Sequence, residues 1–208
     1  MTPPDHINGR VLALVVTALA SAAVVAVAAA APSPNLKRLV LQAADFPGGT
    51  HADTGYGTNG PLASTYTATF QIHPGDLKRE EDVEIQVWLA KDTAGAKNIY
   101  EQTLATYAGK GPAIGPFKNA FKGESILKLP AYGDEQYADY LPKPTRPHGQ
   151  LIARKGNVVW HLTVENCTPL AASCYGTSRT EAPIGKARAT QELKKYGAKQ
   201  KARVGAGG

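Results

Sequence analysis

The chain has 208 residues, 23 Lys and Arg against 17 Asp and Glu, and 43% apolar residues. That is enough for one domain of ordinary size behind an export segment, and too apolar and too weakly charged for a disordered chain. The net charge of +6 does not point to a nucleic-acid binder: from Lys186 onward there are seven Lys or Arg and one Glu, so the excess sits in the tail, and no aromatic-rich RNA- or DNA-binding signature accompanies it.

Met1 to Arg10 is polar, and Val11 to Ala31 is a run of 21 residues broken only by Thr17 and Ser21. The run is long enough to span a bilayer, but ten of its residues are Ala, which contributes little to insertion, and it ends in four consecutive Ala that suit a cleavage site. Residues 1–31 therefore read as a cleaved signal peptide or a retained signal anchor. Either way the remainder is placed outside the cytoplasmic membrane, secreted or held on its outer face. With no Cys in this region, a lipoprotein anchor is not expected.

Residues 32–204 read as a single extracytoplasmic domain and 205–208 as a flexible end. Ser33-Pro34 opens a helix with an apolar face at Leu36, Leu39, Val40 and Ala43, stopped at Phe46-Pro47-Gly48-Gly49. Gly55-Tyr56-Gly57-Thr58-Asn59-Gly60 matches G-x-G-x-x-G, but a dinucleotide fingerprint needs a strand before it and a helix after it, whereas here a helix precedes and a strand follows. It reads as a flexible loop. Thr65 to Ile72 alternates, with Tyr66, Ala68, Phe70 and Ile72 on one side. Val83, Ile85, Val87 and Leu89 repeat that pattern with Glu84, Gln86 and Trp88 opposite, so the two segments form antiparallel strands.

Asp92-Thr93 caps a helix with an apolar stripe at Ala96, Ile99, Tyr100, Thr103, Leu104 and Tyr107, ended by Gly109. Gly111 to Tyr132 reads as an irregular crossing with a short strand near Ser125 to Lys128. Asp134 and Glu135, adjacent in sequence, suit turn chemistry rather than an opposed acid pair. Gly156-Asn157 then closes a two-residue hairpin that sets Ala153 opposite Trp160 and Leu151 opposite Leu162. Leu151, Ala153, Val158, Trp160, Leu162 and Val164 share one apolar side; Ile152, Arg154, Val159, His161, Thr163 and Glu165 share a mixed one. Glu181 to Val204 is a last helix with a thin seam of Ala189, Leu193 and Tyr196 and a basic end expected to fray.

Cys167 and Cys174, the two cysteines of an exported chain with six residues between them, suit a disulfide contributing about 2.5 kcal/mol by loop closure. The five His have no metal-ligand spacing, and no catalytic or cofactor motif is present, so no catalytic residue, metal or cofactor is assigned. Asn166-Cys167-Thr168 has the form of a glycosylation sequon but sits at the expected disulfide.

Leu41-Gln42-Ala43-Ala44-Asp45-Phe46-Pro47-Gly48-Gly49, with Gly133-Asp134-Glu135 and Arg154-Lys155-Gly156-Asn157-Val158-Val159, resembles a group of exported actinobacterial proteins described as lipoproteins or sensor-type extracellular domains. These are similar in build to the outer domain of some membrane-bound kinases. The resemblance spans about Leu36 to Tyr196 and implies an antiparallel sheet with helices on one side, a cleft, and no catalytic residues.

The expected fold is a two-layer α+β domain: an antiparallel sheet of about five strands with helices packed on one face. Phe70, Ile85, Val87, Trp160 and Leu162 should form its core, with Ile99 and Leu104 packed on them. The mixed face, with Thr67, Thr69, Gln86, Trp88, His161 and Thr163, should line a groove for an envelope ligand or protein, which makes the chain a non-catalytic binding or sensor-type domain. The alternative is an envelope hydrolase whose His161, a carboxylate and a hydroxyl converge only in three dimensions. The basic tail should contact anionic surfaces weakly, if at all.

Overall fold

The computed structural model describes residues 34–46, 48–59, 63–73, 81–110, 123–142, 147–166 and 184–206. Its centre is one antiparallel sheet of seven strands: β1 (Gly49–Asn59), β2 (Ala63–Ile72), β3 (Glu81–Ala90), β4 (Ser125–Ile126), β5 (Glu135–Leu141), β6 (His148–Lys155) and β7 (Val158–Glu165). Their order across the sheet is β1-β2-β3-β7-β6-β5-β4. Three helices complete the α+β fold: α1 (Pro34–Arg38), α2 (Thr93–Thr103) and α3 (Lys186–Ala206). Among the described residues no helix is long and apolar enough to cross a membrane; Val11 to Ala31 and the Cys167–Cys174 pair lie outside them.

The central hairpin forms as its sequence dictates. Gly156 has φ 57°, the conformation a type II′ turn demands of its first central residue, and Ala153 pairs with Trp160 and Leu151 with Leu162. Every residue of the apolar side reaches the larger core, together with Phe70, Ile85 and Val87. Arg154 braces the turn from its other side, donating from Nε to Glu135 Oε2 at 2.6 Å and from Nη1 to the Gly156 carbonyl at 2.9 Å, while the Gly156 N–H donates to Asp134 Oδ2 at 2.8 Å. Asp134 and Glu135 thus serve the hairpin.

Three expectations are corrected. The glycine-rich segment at Gly55–Asn59 is not a loop but part of β1, with Gly55 opposite Thr67 and Gly57 opposite Thr65. A neighbouring strand with free ladder groups outweighs the poor strand preference of glycine at a sheet edge. The helices occupy both faces rather than one. α1 and α3 cover the Trp160 face, whereas α2 covers the opposite face, where Ala96, Ile99 and Tyr100 enclose Trp88, Ala90, Ile152 and Val159 in a second core. Ile99 and Leu104 therefore do not pack on Trp160. The reason lies in the mixed face itself, which carries enough apolar surface at Trp88, Ile152 and Val159 to require a cover.

The third correction concerns the tail. The far end of α3 is packed: Tyr196, Gln200 and Val204 are buried, and Tyr196 stacks on Phe46, which stacks on Phe70, at centroid distances of 4.8 and 4.4 Å. Gln200 Nε2 donates to the Leu39 carbonyl at 2.6 Å, and Lys199 donates to the carbonyl of Asp45. Five tail cations, Arg188, Lys195, Lys199, Lys201 and Arg203, have partners within the chain. Sequence periodicity missed these anchors because polar side chains at the right helical positions can tie a helix down without widening its apolar stripe.

Candidate functional site

Antiparallel pairing sets Thr67, Gln86, His161, Ile152 and Tyr137 in one row across the second face of the sheet. The next row holds Thr69, Glu84, Thr163, Gln150, Asp139 and Ile126. Paired residues share a face, so the two rows form a polar field interrupted by Ile152 and bounded at its β4 edge by Ile126. α2 shelters one side of this field. Its chain then widens into a π-helical turn at Leu104–Ala108, and Gly109, with φ 60°, ends it. The wider turn brings Tyr107 over the sheet, an arrangement often found at functional sites.

From Tyr107 a hydrogen-bonded chain runs along the sheet surface. The Tyr107 hydroxyl donates to Gln86 Oε1 at 3.3 Å, and its ring lies on that of His161 with centroids 4.3 Å apart. The Tyr107 carbonyl accepts from Gln150 Nε2 at 2.9 Å. That contact fixes which end of the Gln150 amide is oxygen, and this oxygen lies 2.9 Å from His161 Nε2. An amide oxygen only accepts, so His161 Nε2 must carry the proton. The same nitrogen is 3.2 Å from Thr163 Oγ1. Burial, then the nearby charge of His148, lowers the His161 pKa to about 3, so the ring is neutral.

The chain continues through carboxylates. Tyr137, two residues from Asp139 and on the same face of β5, donates its hydroxyl to Asp139 Oδ2 at 3.0 Å. Asp139 is wholly buried, and burial raises its pKa against the opposing hydrogen bonds of Gln150 and Tyr137. β4 pairs Ile126 with Asp139, which brings the preceding Glu124 alongside. Glu124 forms an ion pair with Lys110, whose ammonium sits 5.9 Å from the centre of the Tyr137 ring. Asp139 Oδ1 and Glu124 Oε2 are buried without a hydrogen-bond partner among the described residues. Tyr107 at one end and Lys110 at the other are 37% and 40% exposed, so the network reaches solvent at both ends.

Of the residues singled out in the sequence, Gln86, His161 and Thr163 come together in this network. Thr67 and Thr69 flank it on β2, half-buried. Trp88 does not belong to it: it is 6% exposed beneath α2. Tyr107, Lys110, Glu124, Tyr137, Asp139 and Gln150 were not foreseen. Alternation along β5 and β6 was the available signal, since it sets Tyr137 with Asp139 and places Gln150 on the His161 side, but the β3–β7 and β5–β6 registers were needed to join them.

A concave surface of about 280 Å³ lies between the ends of β2 and β3 and α3, lined by Ile72, His73, Glu81, Arg188, Glu192, Lys195 and Tyr196. Its charges are satisfied within the chain: Arg188 pairs with Glu81 at 2.6 Å and Lys195 with Glu192 at 3.0 Å. The network on the opposite face, with its two orphan acceptors, is the better candidate site.

No protein-family profile matches the chain, and no curated protein matches it. Among solved structures, the extracellular domain of PknH from Mycobacterium tuberculosis is similar in fold, with a TM-score of 0.50 over 85% of this chain and 98% of that one, at 10% sequence identity.

Proposed function

We propose that this chain is an exported, non-catalytic sensor-type domain that binds an envelope ligand on the second face of its sheet, along the Tyr107–His161–Gln150–Asp139–Tyr137 network. The observation that carries this reading is the pair of orphan carboxylate oxygens on Asp139 and Glu124, with Lys110, its side chain 40% exposed, paired to Glu124. Buried acceptors without donors cost free energy, about 1–3 kcal/mol each or more when charged, that a bound donor would recover. The apolar run at Val11 to Ala31 and the likeness in fold to an extracellular domain support placing this face outside the cytoplasmic membrane.

The hydrolase alternative needs His161 to meet a carboxylate and a hydroxyl; the hydroxyl beside it is that of Thr163, and the geometry argues against His161 as its base. The nitrogen facing the hydroxyl is the one that carries the proton, because Gln150 Oε1 accepts from it. A ring with its pKa lowered to about 3 is also a weak base, and the group next to it is the Gln150 amide rather than a carboxylate.

Native mass spectrometry of protein purified from its host envelope tests the proposal. A co-purified molecule that is lost in Tyr107→Ala and Glu124→Gln supports it. Turnover of envelope substrates, or a ligand that both variants retain, overturns it.

A further inference from the structure

Resting on the reading that this face binds a ligand, we infer that the cradle of Tyr137, Asp139 and Glu124 recognises a primary ammonium group, and that Lys110 of the same chain holds the place of that group. Lys110 follows Gly109 at the end of the π turn, and its side chain is 40% exposed. Its ammonium pairs with Glu124 Oε1 and lies 5.9 Å from the Tyr137 ring centre, within range of a cation–π contact. An ammonium has three N–H donors. Glu124 Oε1 takes one, while Asp139 Oδ1 and Glu124 Oε2 remain buried and without partners among the described residues.

The unfilled acceptors identify the chemistry. Asp139 is fully buried and linked through the Tyr137 hydroxyl, so its free oxygen belongs to the floor of the cradle, not to solvent. A ligand ammonium on a thin alkyl stem, taking the place of Lys110, is free of the backbone tether of Lys110. It can donate to more of these oxygens. The site favours –NH3+ over a quaternary ammonium because the acceptors require N–H donors, which a trimethylated nitrogen lacks. It also disfavours a hard divalent cation such as Ca2+ or Mg2+, which needs about six oxygen ligands, because the cradle supplies two carboxylates and a phenol whose proton burial and two neighbouring carboxylates hold firmly.

The test is calorimetric titration of the purified protein with n-butylammonium chloride, with n-butanol and n-butyltrimethylammonium as controls. Lys110→Met removes the tethered competitor, and butylammonium should then bind about tenfold tighter than to wild type. Butanol should not bind, the trimethyl compound should bind at least about tenfold more weakly, and adding Glu124→Gln to Lys110→Met should cost a similar factor. Asp139→Asn should abolish binding. Because burial puts its folding at risk, shifts of the Tyr137 ring resonances in the Lys110→Met protein provide an independent readout. Equal affinity in wild type and Lys110→Met, or no preference for the primary amine, overturns the inference. A host-derived ligand that lacks an amino group but is lost in Glu124→Gln would remove this inference while leaving the binding function intact. Butylammonium bound by Lys110→Met with no site-dependent ligand in host material would do the reverse.

Discussion

Arg203 and Asp45, separated by 158 residues, are joined by Nε and Nη2 donating to Asp45 Oδ2 at 3.2 and 2.8 Å. The same oxygen accepts from the Gln42 N–H at 2.7 Å, so one carboxylate caps the short turn after α1 and anchors the last turns of α3. The ion pair, half-buried with side chains 33% and 18% exposed, is itself worth about 1 kcal/mol. Truncation after Tyr196 also removes buried Val204 and leaves the Leu39 carbonyl without Gln200. The combined loss should be about 3 kcal/mol or more, read as a lower denaturation midpoint in urea. A truncated protein of unchanged stability would show that the end of α3 contributes nothing.

Each face of the sheet has its own tryptophan. Trp160 is fully buried under α3, and Trp88 is 6% exposed under α2. Trp160→Ala and Trp88→Ala should each cost about 3–5 kcal/mol. Tryptophan fluorescence of the single-Trp proteins should show both indoles shielded from aqueous quencher. A Trp88 open to quencher would mean that α2 does not cover this face.

Stability should fall in mild acid because of His161. Its pKa in the folded chain is lowered to about 3 by burial, against 6.5 for the ordinary side chain. The unfolded chain therefore takes up the proton first. This contribution is complete above about pH 6.5 and declines as pH falls toward 3, with a slope approaching about 1.4 kcal/mol per pH unit. Asp139 and Glu81, both raised by burial, act with the opposite sign: their contributions are complete below the ordinary carboxyl range and are lost as pH rises through their folded values. The diagnostic is thus a difference. Melting temperature should drop between pH 7 and 5 in wild type and be flatter in His161→Gln; identical profiles would count against a buried neutral imidazole.

α3 approaches β6 at Gly149, where a Cβ would lie 2.9 Å from Ala189 Cβ and 3.0 Å from Leu193 Cδ1. Gly149→Ala should destabilise by about 1–3 kcal/mol through overpacking. Adding Ala189→Gly should restore less than all of it, because Leu193 is still in the way and a helical glycine has its own cost. At Gly133 a Cβ would run into the Arg154 carbonyl, which belongs to the backbone and cannot step aside, so Gly133→Ala should be worse. Urea denaturation of the three proteins orders these effects.

Exported protein should begin near Ala31 and be two hydrogens lighter than the reduced chain, through a Cys167–Cys174 bond. Intact-mass measurement reads both at once. A retained leader would make the chain a single-span anchored ectodomain, and free thiols would remove the disulfide.

Much of the architecture was legible because it is local. Period-two alternation marked β2, β3, β6 and β7, Gly156-Asn157 set the register of the hairpin, and Asp92 and Gly109 bounded the helical segment between them, with Asp92 Oδ1 accepting from the Gly95 N–H at 2.7 Å. These features follow from backbone sterics and from which side chains neighbouring positions expose, so one chain of letters determines them. Gln86, His161 and Thr163 were likewise readable as neighbours on one sheet face, since strand periodicity alone sets the face. What no local pattern could supply was which helix covers which face, whether a glycine-rich edge is drawn into the ladder, and which distant polar groups meet. α2 has one apolar stripe and two possible faces to bury it on; the decision rests on the combined apolar area of Trp88, Ile152 and Val159, drawn from three strands. The candidate site has the same origin. Tyr107, Gln150, Asp139 and Glu124 come from four separate segments, and their hydrogen bonds exist only once the sheet order β7-β6-β5-β4 has been laid down and the π turn closed over it. Burial then raises the pKa of Tyr107 and Asp139, an effect of the enclosing low-dielectric volume that no residue possesses alone.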